Sequence, residues 1–510
     1  MSSQSAFDRL TAAAIDGRTE TIRYRQTQLQ SLHGALASPP TAANICRALT
    51  QGPSTPAEVE AEYALAMDAV RHAYDGLDVD AELEAEYSVV RGKGNEVRRI
   101  GVGMVVVRPT NHARFFSVLA PLAVAVAAGN CVILELGDEL PVDTILCEAL
   151  TKSLDQNTFY VSGGAVTDSS ILDSAVLVDQ TGNGSASTLT RHLISSSRTR
   201  TVAVVDRTAN VEAAAKAITR ARFGFGGTSP YAPDLVLVNE FVKKPFLEAC
   251  SRYATVAFAS GSEGRGTGGK GGGEEKIQRL VNEAEENKEV TSFGSKGFKV
   301  VDILDKNTPL IKQKITGRYL PIATTYSLVD AAFSQEFENP LLAGYFFANP
   351  ASAKYLSQHL PCHISCINHI PAQLLIGPAA PIAHDPDFLY RYNRDMFSVS
   401  RPQFVATRSL PKDALQTVET LLDAESAPAS TRRFGKRSPA PTIQKVRALA
   451  MRPLKPTGQV KSMHKTDFFL SGLLIGGGAM LGVVVPVLGW STWVLGRGLV
   501  GYVARLKRNQ

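Results

Sequence analysis

Between residues 100 and 240 short β-branched runs alternate with apolar helical stretches. This alternation restricts the chain to a mostly parallel sheet with helices on both faces. Gly101 to Val107 reads as a buried strand, and Phe115 to Ala128 as an apolar helix ended by Gly129-Asn130. Cys131 to Leu134 is the next strand, and Asp143 to Leu154 the next helix. Ala175 to Val178 and Val202 to Val205 follow as strands, with a helix from about Asn210. Leu235 to Val238 opens a second set of elements. The expected fold class is α/β, a doubly wound domain joined to a second α/β domain.

The 510 residues leave room for both domains, and 44% hydrophobic with 20% charged residues is ordinary globular composition. Six cysteines, Cys46, Cys131, Cys147, Cys250, Cys362 and Cys366, are too sparse for a disulfide framework. Residues 1 to 18 hold Asp8, Arg9 and Asp16 and no continuous apolar run, so no signal peptide is expected. Gly261 to Gly273 is a glycine-rich run in which Gly264 to Lys270 fits GxxxxGK. Gly271 stands where a magnesium-binding Ser or Thr would follow, so the run reads as a surface insertion. In CHISCINH, Cys362 and Cys366 share one strand face while His363 and His369 share the other, and no metal site is expected.

The C-terminal part is of a different kind. Phe468 to Gly496 is a run of 29 uncharged residues, roughly 43 Å as one helix against a hydrocarbon core of about 30 Å. Pro486 and Gly489 are natural break points, so a transmembrane helix is expected over residues 468–488. Trp490 and Trp493, the chain's only tryptophans, begin an interfacial basic tail over 489–510. Residues 427–466 carry ten Lys or Arg and no acid, a basic linker able to lie on anionic lipid. The flanking charges balance and do not orient the span. With no export signal, the globular part is expected in the cytosol.

The order of elements resembles the aldehyde dehydrogenase superfamily, nearest its fatty-aldehyde branch, from about Leu10 to Val405. The resemblance is carried by AIDGRTETIRYRQTQLQSL (Ala14 to Leu32), IGVGMVVVRPTNHA (Ile100 to Ala113), PLAVAVAAGNCVIL (Pro121 to Leu134), VVDRTANVEAAAKAI (Val204 to Ile218), YAPDLVLV (Tyr231 to Val238), ENPLLAGYFFAN and FSVSRPQFV. It implies a cofactor-binding-type domain over 1–204 with a return of 376–405, a catalytic-type domain over 205–375, and an oligomerisation arm. It also implies oxidation of an aldehyde by a cysteine thiolate, a glutamate base and NAD or NADP. That branch often carries a C-terminal membrane helix.

The resemblance also shows where this chain departs from the family. The nucleophile position two residues before the APD motif is Pro230, and its neighbour Ser229 offers only a weak substitute hydroxyl. The general-base position falls on Ser196, and no Glu or Asp lies between Gln180 and Asp206. Of the cofactor contacts, the adenosine-ribose lysine is Glu135 and the nicotinamide-ribose glutamate is Lys314. Thr181 and Gly182 keep two residues of the phosphate-side loop, where Asn183 and Ser187 replace others. Asn111 retains the oxyanion position.

The expected function is that of a membrane-anchored, catalytically impaired relative serving as accessory, scaffold or ligand-binding protein in a lipid or specialised-metabolite pathway. An active NAD(P)-dependent oxidoreductase on a lipophilic aldehyde is the alternative. NAD or NADP is the cofactor if the protein is active, and none otherwise. The expected partners are membrane lipid, a second copy or a related dehydrogenase in a dimer, and a lipophilic small molecule. Nucleic acid is not among them. In alkaline carbonate extraction the protein is expected to stay with the membrane pellet, and release into the soluble fraction contradicts the span.

Overall fold

The computed structural model describes residues 3–137, 139–182, 192–259, 272–295, 297–333, 340–381, 384 and 387–405, with scattered positions between 444 and 497. The chain divides into two units, Met1–Ala406 and Thr407–Gln510. In the second unit Trp490, Ser491, Trp493, Leu495 and Arg497 are helical, and the Arg497 guanidinium lies 4.3 Å from the centre of the Trp493 ring. Among the described residues no helix is long and apolar enough to cross a membrane. The span expected over 468–488 lies almost wholly outside the described residues, as do most of the linker and the run 260–271.

In the first unit, β1 (Arg99–Gly101) pairs antiparallel with β14 (Ser398–Ser400), tying the end of the unit back to its first third. A five-stranded parallel sheet is built from β2 (Met104–Arg108), β3 (Cys131–Glu135), β4 (Phe159–Ser162), β5 (Val176–Asp179) and β6 (Leu193–Ile194), in the order β4-β3-β2-β5-β6. Strand order reverses between β2 and β5, which puts the topological switch point beyond their carboxyl ends.

The second sheet has seven strands: β7 (Thr201–Val205), β8 (Leu235–Asn239), β9 (Val290–Ser295), β10 (Phe298–Ile303), β11 (Tyr319–Thr325), β12 (Leu341–Phe347) and β13 (Cys362–Ile367). Its order is β13-β12-β7-β8-β11-β10-β9, and only β9 runs antiparallel to its neighbour. The domain boundary expected at residue 204 cuts through β7. Pairing of β7 with β8 and β12 moves that boundary ahead of Thr201, because a strand belongs with the ladder that satisfies its backbone.

The helix Arg114–Ala127 lies at the centre of the first domain, and all of its residues are buried. Hydrophobic surface on every side of a helix demands cover all round. The helix Pro56–Asp75 supplies one side, stacking Tyr63 on Phe115 with ring centres 5.4 Å apart. Gly129, at φ +85°, stops the central helix in the left-handed turn that glycine takes without strain. Asn130 then fixes the exit, accepting from Gly103 N and donating to the carbonyls of Ala125 and Phe397.

The start of this helix is held from below by Glu62, whose Oε1 accepts from Phe115 N (2.9 Å) and Phe116 N (3.4 Å). Burial pushes the Glu62 carboxyl up from 4.5 to about 7, against the pull of those two N–H groups. As pH rises, the unfolded chain releases this proton first, so stability falls between about pH 4.5 and pH 7. Glu62→Gln keeps an acceptor oxygen and removes the titration. In urea unfolding the variant is expected to lose this slope and, above pH 7, to be more stable by at most about 3 kcal/mol.

Candidate functional site

The helix Val211–Phe223 begins on Asn210, whose Oδ1 accepts from Ala213 N, and it delivers the chain into a tight loop. Phe225, Gly226 and Gly227 are left-handed in succession, with φ of +49°, +66° and +71°. A Cβ on Gly227 would collide with the Gly317 carbonyl, and one on Gly226 would sit 2.7 Å from Pro53 Cβ. The fully buried Arg222 braces the turn, donating to the carbonyls of Gly227, Ile315 (3.1 Å) and Gly317 (2.9 Å). The loop turns Thr228 to solvent and drives Ser229 and Pro230 into the interior.

Behind the loop stands a buried carboxylate, Asp234. Its Oδ1 accepts from Ile315 N (3.0 Å), and its Oδ2 from Thr201 N (2.7 Å) and Lys314 Nζ (3.0 Å). Arg222 Nη1 lies 3.5 Å away. Lys314 also donates to the carbonyls of Thr199 (3.0 Å) and Pro230 (2.5 Å). Desolvation lowers the Lys314 ammonium, and Asp234 opposes that shift. Lys314 is thereby drawn onto the segment carrying Pro230 and onto the turn that starts at Ser196.

A second loop faces the first. Arg114 makes an ion pair with Asp143 (2.9 and 3.1 Å) and donates back to Pro109 O, Thr110 O and Asn111 Oδ1. Asn111 is exposed, and this contact to its Oδ1 makes the amide its donor end. The adjacent His112 is buried, with Nδ1 2.8 Å from Thr228 Oγ1 and Nε2 2.9 Å from Leu375 O. Burial, aided by the Arg391 cation, pushes the imidazole down from 6.5 to about 4, so it is neutral at pH 7.

The switch point of the five-stranded sheet carries an ion network. Arg108, at the end of β2, donates to Glu135 at the end of β3 (2.6 and 3.1 Å) and lies 3.6 Å from Asp179 at the end of β5. Glu135 Oε1 also accepts from Val166 N (2.9 Å). Asp179 Oδ1 accepts from the backbone and hydroxyl of Thr181. Gly182, at φ +70°, lies so close to Ser197 that a Cβ would strike its hydroxyl. Asn183 and Ser187 lie outside the described residues.

The structure therefore gathers Pro230, Lys314 and the Ser196 turn around Asp234, and joins Glu135 to the loop of Thr181 and Gly182 through Arg108 and Asp179. Ser229 does not meet a base: its Oγ is buried without a hydrogen-bond partner among the described residues. That corrects the expectation of a substitute nucleophile there, because the loop turns Thr228 outward instead. Burial pushes the thiols of Cys131, Cys250 and Cys362 up to about 12 and that of Cys366 to about 11. Cys362 and Cys366 lie on β13, and among the described residues no group of three or more His, Cys, Asp or Glu is placed to hold a metal. Sequence reading missed Arg108, His112, Thr228 and Asp234. The available signals were the APD motif, whose acid is Asp234, and the histidine directly after Asn111, whose partner lies 116 residues further along the chain.

A family model described as the aldehyde dehydrogenase family matches residues 4–299. The 4,4'-diaponeurosporen-aldehyde dehydrogenase of Staphylococcus aureus is 26% identical over 275 residues, which cover 49% of this chain and 58% of that protein. The chain thus spans less than two thirds of that relative. The substrate-bound state of Staphylococcus aureus AldH superposes with a TM-score of 0.63 at 18% identity, covering 84% of this chain and 100% of that one. A glyceraldehyde-3-phosphate dehydrogenase from Methanocaldococcus jannaschii, complexed with NADP, gives 0.59 at 15%, covering 78% and 93%. At these identities the structural matches speak for the fold. With more than half of its length matched by the family model, the chain belongs to the aldehyde dehydrogenase family.

Proposed function

We propose that this protein is a membrane-anchored member of the fatty-aldehyde branch that no longer oxidises aldehydes with NAD(P), and that it acts as an accessory, scaffold or lipophilic-ligand-binding protein. The observation that carries the reading is the environment of Pro230. The position assigned to the nucleophile has no thiol, and a cation, Lys314, is seated on its carbonyl and on Asp234. A thiolate route needs a nucleophile and a base within reach of one another. Here Ser196 replaces the base, and burial pushes Cys131, Cys250, Cys362 and Cys366 toward the inert thiol.

The nucleotide side supports the same reading. Two carboxylates and one guanidinium occupy the switch point, leaving a net charge of −1 where a dinucleotide's phosphates would approach. Glu135 is satisfied by Arg108 and Val166 N, so it is built into the crest as a structural anion. A pair held this way is costly to break from one side, by about 3–5 kcal/mol. The proposed partners are membrane lipid, a second copy or a related dehydrogenase, and a lipophilic small molecule, with the body in the cytosol and a lipid or specialised-metabolite pathway as its setting.

An active NAD(P)-dependent oxidoreductase is the second reading. It is favoured by the exposed Asn111 amide and by relatives that are named dehydrogenases. Calorimetric titration of the full detergent-solubilised chain with NAD and NADP, followed by long-chain aldehydes, separates the two. No saturable nucleotide binding and no turnover are expected. Saturable binding with NAD(P)H formation overturns the proposal. Glu135→Lys alone is expected to destabilise the protein by about 3 kcal/mol in denaturant unfolding, because it sets a second cation against Arg108.

A further inference from the structure

We propose that the carboxyl end of β8-β11-β10 is an interface through which two copies of this chain pair face to face. This rests on the second copy named above as a partner and assigns that partner a surface, at the end of the sheet opposite the candidate site.

The candidate site lies at the amino ends of the seven-stranded sheet, where Thr201 begins β7 and Asp234 directly precedes β8. Strands β8, β11 and β10 are adjacent and parallel, so their carboxyl ends open together on the far side. The seven residues of β11 put about 23 Å between the two ends. Each of these strands is followed by large apolar side chains in water. Phe241 follows β8, Leu304 follows β10, and Tyr326, Val329 and Phe333 follow β11, all of them 56% to 72% exposed. Asn239 stands beside Thr325 in the ladder, so the chain toward Phe241 and the chain toward Tyr326 leave the sheet side by side. Single exposed apolar residues are ordinary, but five beyond three adjacent strands form a patch of the kind that marks a contact.

The helix Leu328–Phe333 is inverted with respect to an ordinary surface helix. Its buried residues are Ala331 and Ala332, while Val329 and Phe333, one turn apart, face water. Surface helices turn their larger apolar side chains to the core, and this one turns its smallest. The exposed rings are also held in place. Lys306 Nζ lies 5.3 Å from the centre of the Tyr326 ring, and Tyr326 N donates to Asp330 Oδ2 at 2.9 Å. Phe333 meets His359 edge-on with ring centres 5.8 Å apart, and His359 stacks on Tyr355 at 4.1 Å. Aromatic side chains ordered beforehand lose little entropy on association and are the usual anchors of an interface.

Charge selects the occupant. Beside Tyr326, Lys306 pairs with Asp330 at 3.2 Å, and beside Phe241 the chain exposes both Glu240 and Lys244. An anionic lipid surface calls for an excess of cations, and a strongly charged partner for an excess of one sign. Neither excess exists here. A two-fold contact sets a face against itself, which a rim of one sign opposes and a rim of both signs favours, cation against anion around an apolar centre. The partner that fits is therefore a second copy of this chain.

The test uses the full detergent-solubilised chain. Particle mass, read by light scattering with the detergent subtracted, is expected to halve in the double variant Tyr326→Asp, Phe333→Asp. Val329→Cys, treated with a short bismaleimide, is expected to give a covalent dimer that wild type treated alike does not. This second readout keeps the aromatic face intact, so it does not depend on whether the double variant folds. An unchanged mass in the double variant, no self-linked product from Val329→Cys, or a product in cell extract joined only to a different protein overturns this interface while leaving pairing through another face open. A wild type that is monomeric overturns the second-copy partner as well, so the two failures are distinguishable.

Discussion

Asp234 is the charge on which the second domain is assembled around the candidate site. A carboxylate with no exposed surface is tolerated only if several donors meet it. Here the donors come from different parts of the chain: Thr201 N at the start of β7, Ile315 N and Lys314 from the segment before β11, and Arg222 from the helix before the loop. Satisfying one anion thus fixes where four segments meet. Arg222 and Lys314 carry more donors than Asp234 can use. The surplus goes to the carbonyls of Gly227, Ile315, Gly317, Thr199 and Pro230, which are the loops that shape the site.

The alternation of strands and helices was legible in the sequence because both periodicities were strong. Of the strand expected over Gly101 to Val107, Met104 onward lies in β2, while Gly101 ends β1 in the two-stranded sheet; the helix ended by Gly129-Asn130 spans Arg114–Ala127. Cys131 to Leu134 and Leu235 to Val238 fall within β3 and β8. Where the domains divide was less legible. β7 looks like any buried strand in sequence, and only its pairing with β8 and β12 shows to which sheet it belongs. The site was legible as a set of substitutions and not as a set of partners. Glu135 could be recognised as a charge reversal, but Arg108 lies 27 residues earlier and meets it only because β2 and β3 are adjacent.

The crest of the five-stranded sheet shows how a buried carboxylate is paired. Glu135 is a buried carboxylate at the carboxyl end of β3. The neighbouring strand ends in Arg108, which lies between Glu135 and Asp179 and spans the switch point. Arg108 hydrogen-bonds Glu135 and lies 3.6 Å from Asp179, whose Oδ2 is buried without a hydrogen-bond partner among the described residues.

The two loops at the candidate site are also held by buried cations. Arg114, Arg222 and Arg391 each bind backbone carbonyls and so spend their donors on holding loops in place. Beside them Thr228 Oγ1 lies 2.8 Å from His112 Nδ1, and the exposed Asn111 accepts from Arg114 through its Oδ1. Proline at position 230 suits this arrangement, since a residue without a backbone N–H loses nothing where only its carbonyl is engaged, by Lys314 and Thr201. The loop is thereby anchored through the Pro230 carbonyl and needs no backbone donor at that position.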